Sequence, residues 1–155
     1  MKKILVTGAS GLIGQRLCQL LSQQGYTVHT LGRSAAGSST HKHFAWNIEK
    51  GELDPKALEG VEGIIHLAGA GVADKRWTDA RKKEIIDSRV NSTRLLYKAL
   101  KKNPHSVKVI VSASAVGYYG DCGSETVTET HAAANTFLAE VCKRWEQEVE
   151  QFSQQ

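Results

Sequence analysis

Apolar and polar positions alternate in blocks along this chain. Lys2 to Thr7 is a short apolar run suited to a buried strand, and from Leu12 the apolar residues Leu12, Ile13, Leu17, Leu20 and Leu21 recur at helical spacing. Gly25 fits the stop of that helix, and Tyr26 to Leu31, rich in β-formers, predicts a second strand. A short strand is expected around His43 to Trp46, then a weak helix from Asp54 to Leu58 with Pro55 in its first turn. "GIIHLAGAG" (63–71) predicts a fourth strand running into a glycine-rich turn. The longest helical pattern, about Thr78 to Lys102, carries Ile85, Ile86, Val90, Leu95, Leu96 and Leu100 on its apolar side and ends at Asn103-Pro104. "VKVIVSASA" (107–115) reads as a fifth strand covered on both faces, and "TFLAEVCKRWEQEVEQF" (136–152) as a final amphipathic helix.

Strand and helix alternating in this way predict an α/β fold: a Rossmann-type doubly wound parallel sheet of strand order 3-2-1-4-5, right-handed crossovers and helices on both faces. Its crevice is expected at the carboxyl ends of the strands. The 155 residues suit one domain spanning 1–155, with no internal repeat, and "GRSAAGSSTHK" (32–42) reads as a small, polar, flexible connection. No run of about 18 apolar residues occurs, and the first apolar stretch is broken by Gly8 and Ser10, so a cytoplasmic protein without a membrane span is expected. Cys18, Cys122 and Cys142 lack C-x-x-C spacing and read as reduced thiols, not as a disulfide framework or zinc site. The formal net charge of +4 comes from basic residues interleaved with acids, which describes a solvated surface rather than a nucleic-acid footprint.

The chemistry starts at Gly8, Gly11 and Gly14, three glycines at three-residue spacing where a strand gives way to a helix. Such a turn aims unpaired N–H groups and the positive end of a helix at a phosphate, and glycine lets the ligand approach the backbone. Its place in a βαβ unit satisfies the context of a dinucleotide fingerprint. About 20 residues further on, NAD-binding units carry an acid for the ribose 2′-OH. Here the end of the second strand carries Arg33, with no acid in "LGRSAAGSS". A guanidinium pairs with a 2′-phosphate, so NADP(H) is expected over NAD(H); the plainer reading is a solvated loop arginine.

"TGASGLIG", "HLAGAGVADKRWT", "KKEIIDSRVNST", "SASAVGYYGD" and "CKRWE", spread from Met1 to about Glu150, together resemble the atypical branch of the short-chain dehydrogenase/reductase superfamily whose members carry the epimerase name. The resemblance is to nucleoside-diphosphate-sugar epimerase-like proteins. It implies a dinucleotide-binding Rossmann domain with Gly8, Ser10, Gly11, Leu12, Ile13 and Gly14 at the phosphate turn. It also implies that Gly32, Arg33, Leu67, Ala68, Gly69, Glu84 and Arg89 line the rest of the cofactor site, with an unidentified small-molecule substrate for which a nucleotide-sugar is one expectation. Relatives run to about twice this length and place their substrate-binding region in the later half. With a sixth strand outside this chain, residues 107–115 become an edge guarded only by Lys108, and a homodimer through that edge, or through the helices carrying Ile85, Val90 and Val141, is expected.

In the wider superfamily a serine holds the substrate oxygen while a tyrosine, its pKa lowered by a lysine four residues on, moves the proton. Ser114 matches the serine. The tyrosine position falls on Phe137 or Leu138 and the lysine position on Val141 or Cys142, with Lys143 out of phase. Tyr118 or Tyr119 can supply a phenol from its loop or simply pack it. His66 reads as a hydrogen-bonded structural residue more readily than as a base, and Asp74 to Trp77 either line a substrate mouth or pack with solvated charges. Two functions follow: an NADP(H)-dependent oxidoreductase or epimerase with an atypical active site, or a non-catalytic NADP-binding sensor or interaction module.

Overall fold

The computed structural model describes residues 2–34 and 40–154. The connection expected at 32–42 therefore lies partly outside the described residues. The elements are β1 (Lys3–Thr7), α1 (Leu12–Gln23), β2 (Thr27–Gly32), β3 (Lys42–Asn47), β4 (Glu52–Leu53), β5 (Val61–His66), α2 (Asp79–Lys102), β6 (Val109–Ser112) and α3 (Phe137–Glu150). The strands form one sheet of order β4-β3-β2-β1-β5-β6. Five of them run parallel, in the order expected from the sequence. The addition is β4, which pairs antiparallel with β3 through Trp46↔Leu53 and Asn47↔Glu52. Two residues carry no period that a sequence can display. The helix expected at 54–58 is a 3-10 turn, Pro55–Leu58, started by the Asp54 carboxylate accepting the Lys56 N–H at 2.9 Å.

β1 occupies the centre, paired with β2 on one side and β5 on the other. Its alternation splits the core, because successive side chains of a strand face opposite ways. Leu5 joins Leu31, Phe44, Trp46, Leu58, Ile64 and Leu96 on the α2 side, while Val6 joins Cys18 and Val28 under α1. Trp145 of α3 packs edge-on to His66, which puts α3 on the α2 side. Gly25, at φ 81°, closes α1 while the Tyr26 N–H returns to the Leu21 carbonyl at 3.0 Å.

Three details go beyond the sequence pattern or depart from it. Leu12 and Ile13 are 91% and 69% exposed, and Leu20 is also exposed. The stripe of α1 that faces the sheet is Gly14, Leu17, Cys18 and Leu21, at i, i+3, i+4 and i+7, and the other three lie off it. The strand at β6 is not covered on both faces: Ile110 packs into the core, but Val109 and Val111 are each 55% exposed at the sheet edge, on the side where α1 covers only the middle strands. Ile85, Val90 and Val141 are buried within this chain, so these three side chains are not available to a partner copy.

Candidate functional site

The three glycines are required for different reasons. At Gly8, φ is 68°, and an added Cβ would stand 2.8 Å from the Leu67 carbonyl carbon and oxygen. At Gly14 a Cβ would stand 2.3 Å from the Gly8 carbonyl oxygen and 2.7 Å from Ala9 Cα. Both glycines are demanded by the fold. At Gly11 the nearest atom is the Gly8 oxygen at 3.4 Å, an ordinary contact, and φ is −75°. Nothing in the described chain forbids a side chain there. Gly11 is the N-cap of α1, no side chain among the described residues caps that end, and no acid stands in its first turn. The first-turn amides are thus available to an anion, with the exposed Leu12 and Ile13 beside them and Ser10 preceding. Ser10 itself contributes its carbonyl to the Gln15 side chain at 2.8 Å.

Behind this turn runs a buried relay. Thr7 Oγ1 accepts the N–H groups of Leu67 and Ala68, each at 3.1 Å, which uses both its lone pairs. Its proton therefore goes to His66 Nδ1 at 2.7 Å. That makes His66 Nε2 the protonated nitrogen, donating to Thr93 Oγ1 at 3.1 Å, and Thr93 donates onward to the Arg89 carbonyl at 2.7 Å. The tautomer is thus assigned by the network. His66 is 1% exposed, and burial holds its pKa down to about 4, so it is neutral and sealed from solvent. This is a structural histidine.

The strand-end loop 67–78 is tied to α2. Ser88 Oγ accepts the Ala70 N–H at 3.0 Å, and Arg89 Nη1 donates to the carbonyls of Ala70 and Ile85, both at 3.0 Å. The Arg89 guanidinium lies over the Trp145 ring, and a Cβ on Gly69 would meet its Cζ at 2.9 Å. Burial lowers its pKa. A residue that the sequence reading missed, Arg81, is only 7% exposed: it donates to Glu84 Oε2 at 2.7 Å, to the Gly71 carbonyl, and approaches Asp74 at 3.5 Å. Its pairing with Glu84 at i, i+3 is visible in the sequence, but its burial is not. Glu84 is held below the usual carboxylate range by the Arg81 hydrogen bond, with Lys75 and Arg33 adding to the effect. Arg33 is exposed and borders an open groove of about 600 Å³ with Trp46, Asn47 and Glu52, while a Cβ on Gly32 would press on the His43 ring at 3.1 Å.

Just past the carboxyl end of β6, the exposed Ser114 donates its Oγ–H to Glu146 Oε1 of α3. Tyr118 ends a 3-10 turn, Val116–Tyr118, and its ring meets that of Tyr119 edge-on at 5.2 Å. Partial burial raises the Tyr119 pKa, with Glu129, Tyr118 and Glu146 reinforcing it, so that phenol keeps its proton at neutral pH. At the expected tyrosine position, the Phe137 ring stacks edge-on with Trp77 at 5.2 Å, under the Lys82 ammonium, and the Leu138 side chain fills the space beside Gly117. At the lysine position, Val141 and Cys142 are buried, and Cys142 gives its proton to the Ala115 carbonyl at 3.5 Å. Trp77 Nε1 is fixed to the Val72 carbonyl at 2.7 Å. Among the described residues no cluster of His, Cys, Asp or Glu is placed to hold a metal, and no helix is long and apolar enough to cross a membrane. The three cysteines are free.

Residues 4–152 match the NAD dependent epimerase/dehydratase family, and the chain belongs to it. The epimerase family protein Mb2239 of Mycobacterium bovis is 38% identical over 143 residues, which are 92% of this chain and 46% of that protein. The human epimerase family protein SDR39U1 (isoform 2), solved with NADPH, superposes with a TM-score of 0.78 at 26% identity, covering 94% of this chain and 48% of that one. The nucleoside-diphosphate sugar epimerase of Corynebacterium glutamicum gives a TM-score of 0.79 at 31% identity, covering 99% of this chain and 31% of that one. The chain thus spans about half, or less, of the length of these relatives. The branch expected from the sequence motifs and the Rossmann-type fold are both borne out.

Proposed function

We propose that this chain is the cofactor-binding portion of an NADP(H)-dependent oxidoreductase or epimerase whose substrate is a small hydroxyl- or carbonyl-bearing molecule, with nucleotide-sugars as the first class to test. The observation that carries this reading is Gly11: the fold leaves room for a side chain there, yet the helix end it opens has neither a cap nor an acid. A pyrophosphate fits that requirement. Gly8, Ser10, Gly11, Leu12, Ile13 and Gly14 would hold it, with Gly32, Leu67, Ala68 and Gly69 along its path. Arg33 would pair with a 2′-phosphate, and the human relative solved with NADPH supports that choice over NAD(H). Glu84 and Arg89 act from behind, by holding Arg81 and the 69–71 loop.

When bound, the cofactor supplies hydride chemistry at its nicotinamide. Ser114 is the group we assign to the substrate oxygen, and Tyr118 the phenol nearest to it in sequence. The nucleotide-sugar class comes from the name of the Corynebacterium relative. One observation favours a non-catalytic NADP-binding module instead: Phe137, Leu138, Val141 and Cys142 fill the positions where the superfamily keeps its tyrosine and lysine.

Calorimetric titration with NADPH and NADH tests the cofactor. A charge-assisted contact worth roughly 1.5–3 kcal/mol makes NADPH the tighter ligand by about one to two decades, and Arg33→Ala removes that margin while leaving NADH unchanged. Equal affinities in the wild type, or an NADH preference, overturn it. NADPH consumption against carbonyl compounds and nucleotide-sugars separates enzyme from sensor.

A further inference from the structure

Glu146 differs from Glu140 and Glu148 on the same helix. Glu140 pairs with Lys143 and Arg144, and Glu148 with Arg94. Glu146, half-buried, has no cation within ion-pair distance among the described residues, and its partner is the neutral Ser114 hydroxyl, 32 residues earlier in the chain. The contact joins the carboxyl end of β6 to the middle of α3, at the place where the tyrosine and lysine of the wider superfamily are missing.

A serine hydroxyl owns one proton and two lone pairs, and an ionised carboxylate offers only acceptors. The Ser114 proton is therefore committed to Glu146. Cys142 Sγ also faces Ser114, but with its own proton given to the Ala115 carbonyl it offers only a weak sulfur acceptor, which does not compete with a carboxylate for the serine proton. What the exposed Ser114 presents to an arriving ligand is lone pairs alone, next to a negative charge. A carbonyl oxygen arriving there meets acceptors and is repelled; an alcohol O–H finds an acceptor strengthened by the hydrogen bond behind it.

We propose that Glu146 sets the polarity of Ser114 and so makes this a site selective for a hydroxyl-bearing, reduced ligand over the corresponding carbonyl compound. Glu146 is a positioning residue, acting through Ser114. The inference rests on the reading of Ser114 as the group that meets the substrate oxygen.

The test is a binding measurement on the protein saturated with NADP+, using cyclohexanol and cyclohexanone as probes in saturation-transfer NMR. Wild type should bind the alcohol about fivefold more tightly, the factor expected of one good hydrogen bond. Glu146→Gln should bring the ratio to about one, because its amide nitrogen can donate to Ser114 Oγ and release the serine proton to a carbonyl. Glu146→Asp keeps the charge and should retain the preference for the alcohol, so it reads the same question if Glu146→Gln does not fold. Ser114→Ala should abolish discrimination. A wild type that favours the ketone, treats the probes alike or binds neither overturns the inference, as does an unchanged ratio in Glu146→Gln. A parallel NADPH titration keeps the two claims apart: no NADPH binding sinks the proposed function, whereas NADPH binding without probe discrimination sinks this inference alone.

Discussion

The amino ends of α1 and α3 are built in opposite ways. α3 starts at Thr136, whose hydroxyl accepts the Ala139 N–H at 3.2 Å, with Glu140 in the first turn; α2 repeats the device with Thr78, Arg81 and Asp79. These ends are satisfied by their own sequence. α1 starts at Gly11 with neither cap nor acid, although its turn is tightly constructed, held by Gly8, Gly14 and the Thr7–His66 relay. Rigidity and open valence therefore coincide at α1 and nowhere else among the three helices. The fold invests in the shape of that turn and leaves its amides to something other than the chain.

Substitutions should separate the two kinds of helix start. Gly14→Val, whose Cβ falls on the Gly8 carbonyl, should cost about 3 kcal/mol or more in urea unfolding, since backbone cannot yield as a side chain does. The relay beneath the turn should show itself in acid. His66 titrates at about 4 when folded and near 6.5 when unfolded, so the unfolded state binds the extra proton first. Stability is then full above about pH 6.5 and falls as the pH drops towards 4, by about 3 kcal/mol in all. Urea midpoints across that range check it, and a wild type no more acid-sensitive than a folded His66→Gln variant would count against it.

Gly11→Val should leave the unfolding midpoint within about 1 kcal/mol of wild type yet weaken NADPH binding at least about a hundredfold, because the side chain stands where the pyrophosphate must approach. Undiminished affinity in a folded variant would falsify the anion-site reading. The smallest effect is expected at a capped end: Thr136→Ala should lose about 1 kcal/mol of stability with NADPH affinity unchanged.

The five parallel strands and three α-helices were legible because each carries its period over enough residues, and Gly25 marks a helix end by chemistry the backbone obeys locally. The glycine turn was legible for the same reason. What the sequence hid depends on distant neighbours. Leu12 and Ile13 are the same residue types that fill the core, and only their angle around α1 leaves them in solvent. Val109 and Val111 have the composition of a covered strand, but their exposure is decided by which helix lies over β6. The burial of Arg81 follows from the path of the 71–74 loop, and the Ser114–Glu146 contact from the packing of α3 beside β6; neither distance has a local signature.

The central position of β1 also has a consequence for refolding, expected from chain connectivity alone. The first strand of the chain acquires its β2 partner from residues 27–31, but its other edge waits for residues 61–66. Every native pairing in the parallel part of the sheet is non-local, and loop closure must precede any reward for it. Leu5 and Val6, fully buried in the finished sheet, thus spend the interval before β5 docks as an apolar edge open to any other strand in reach, and dilution during refolding should raise the yield of native protein.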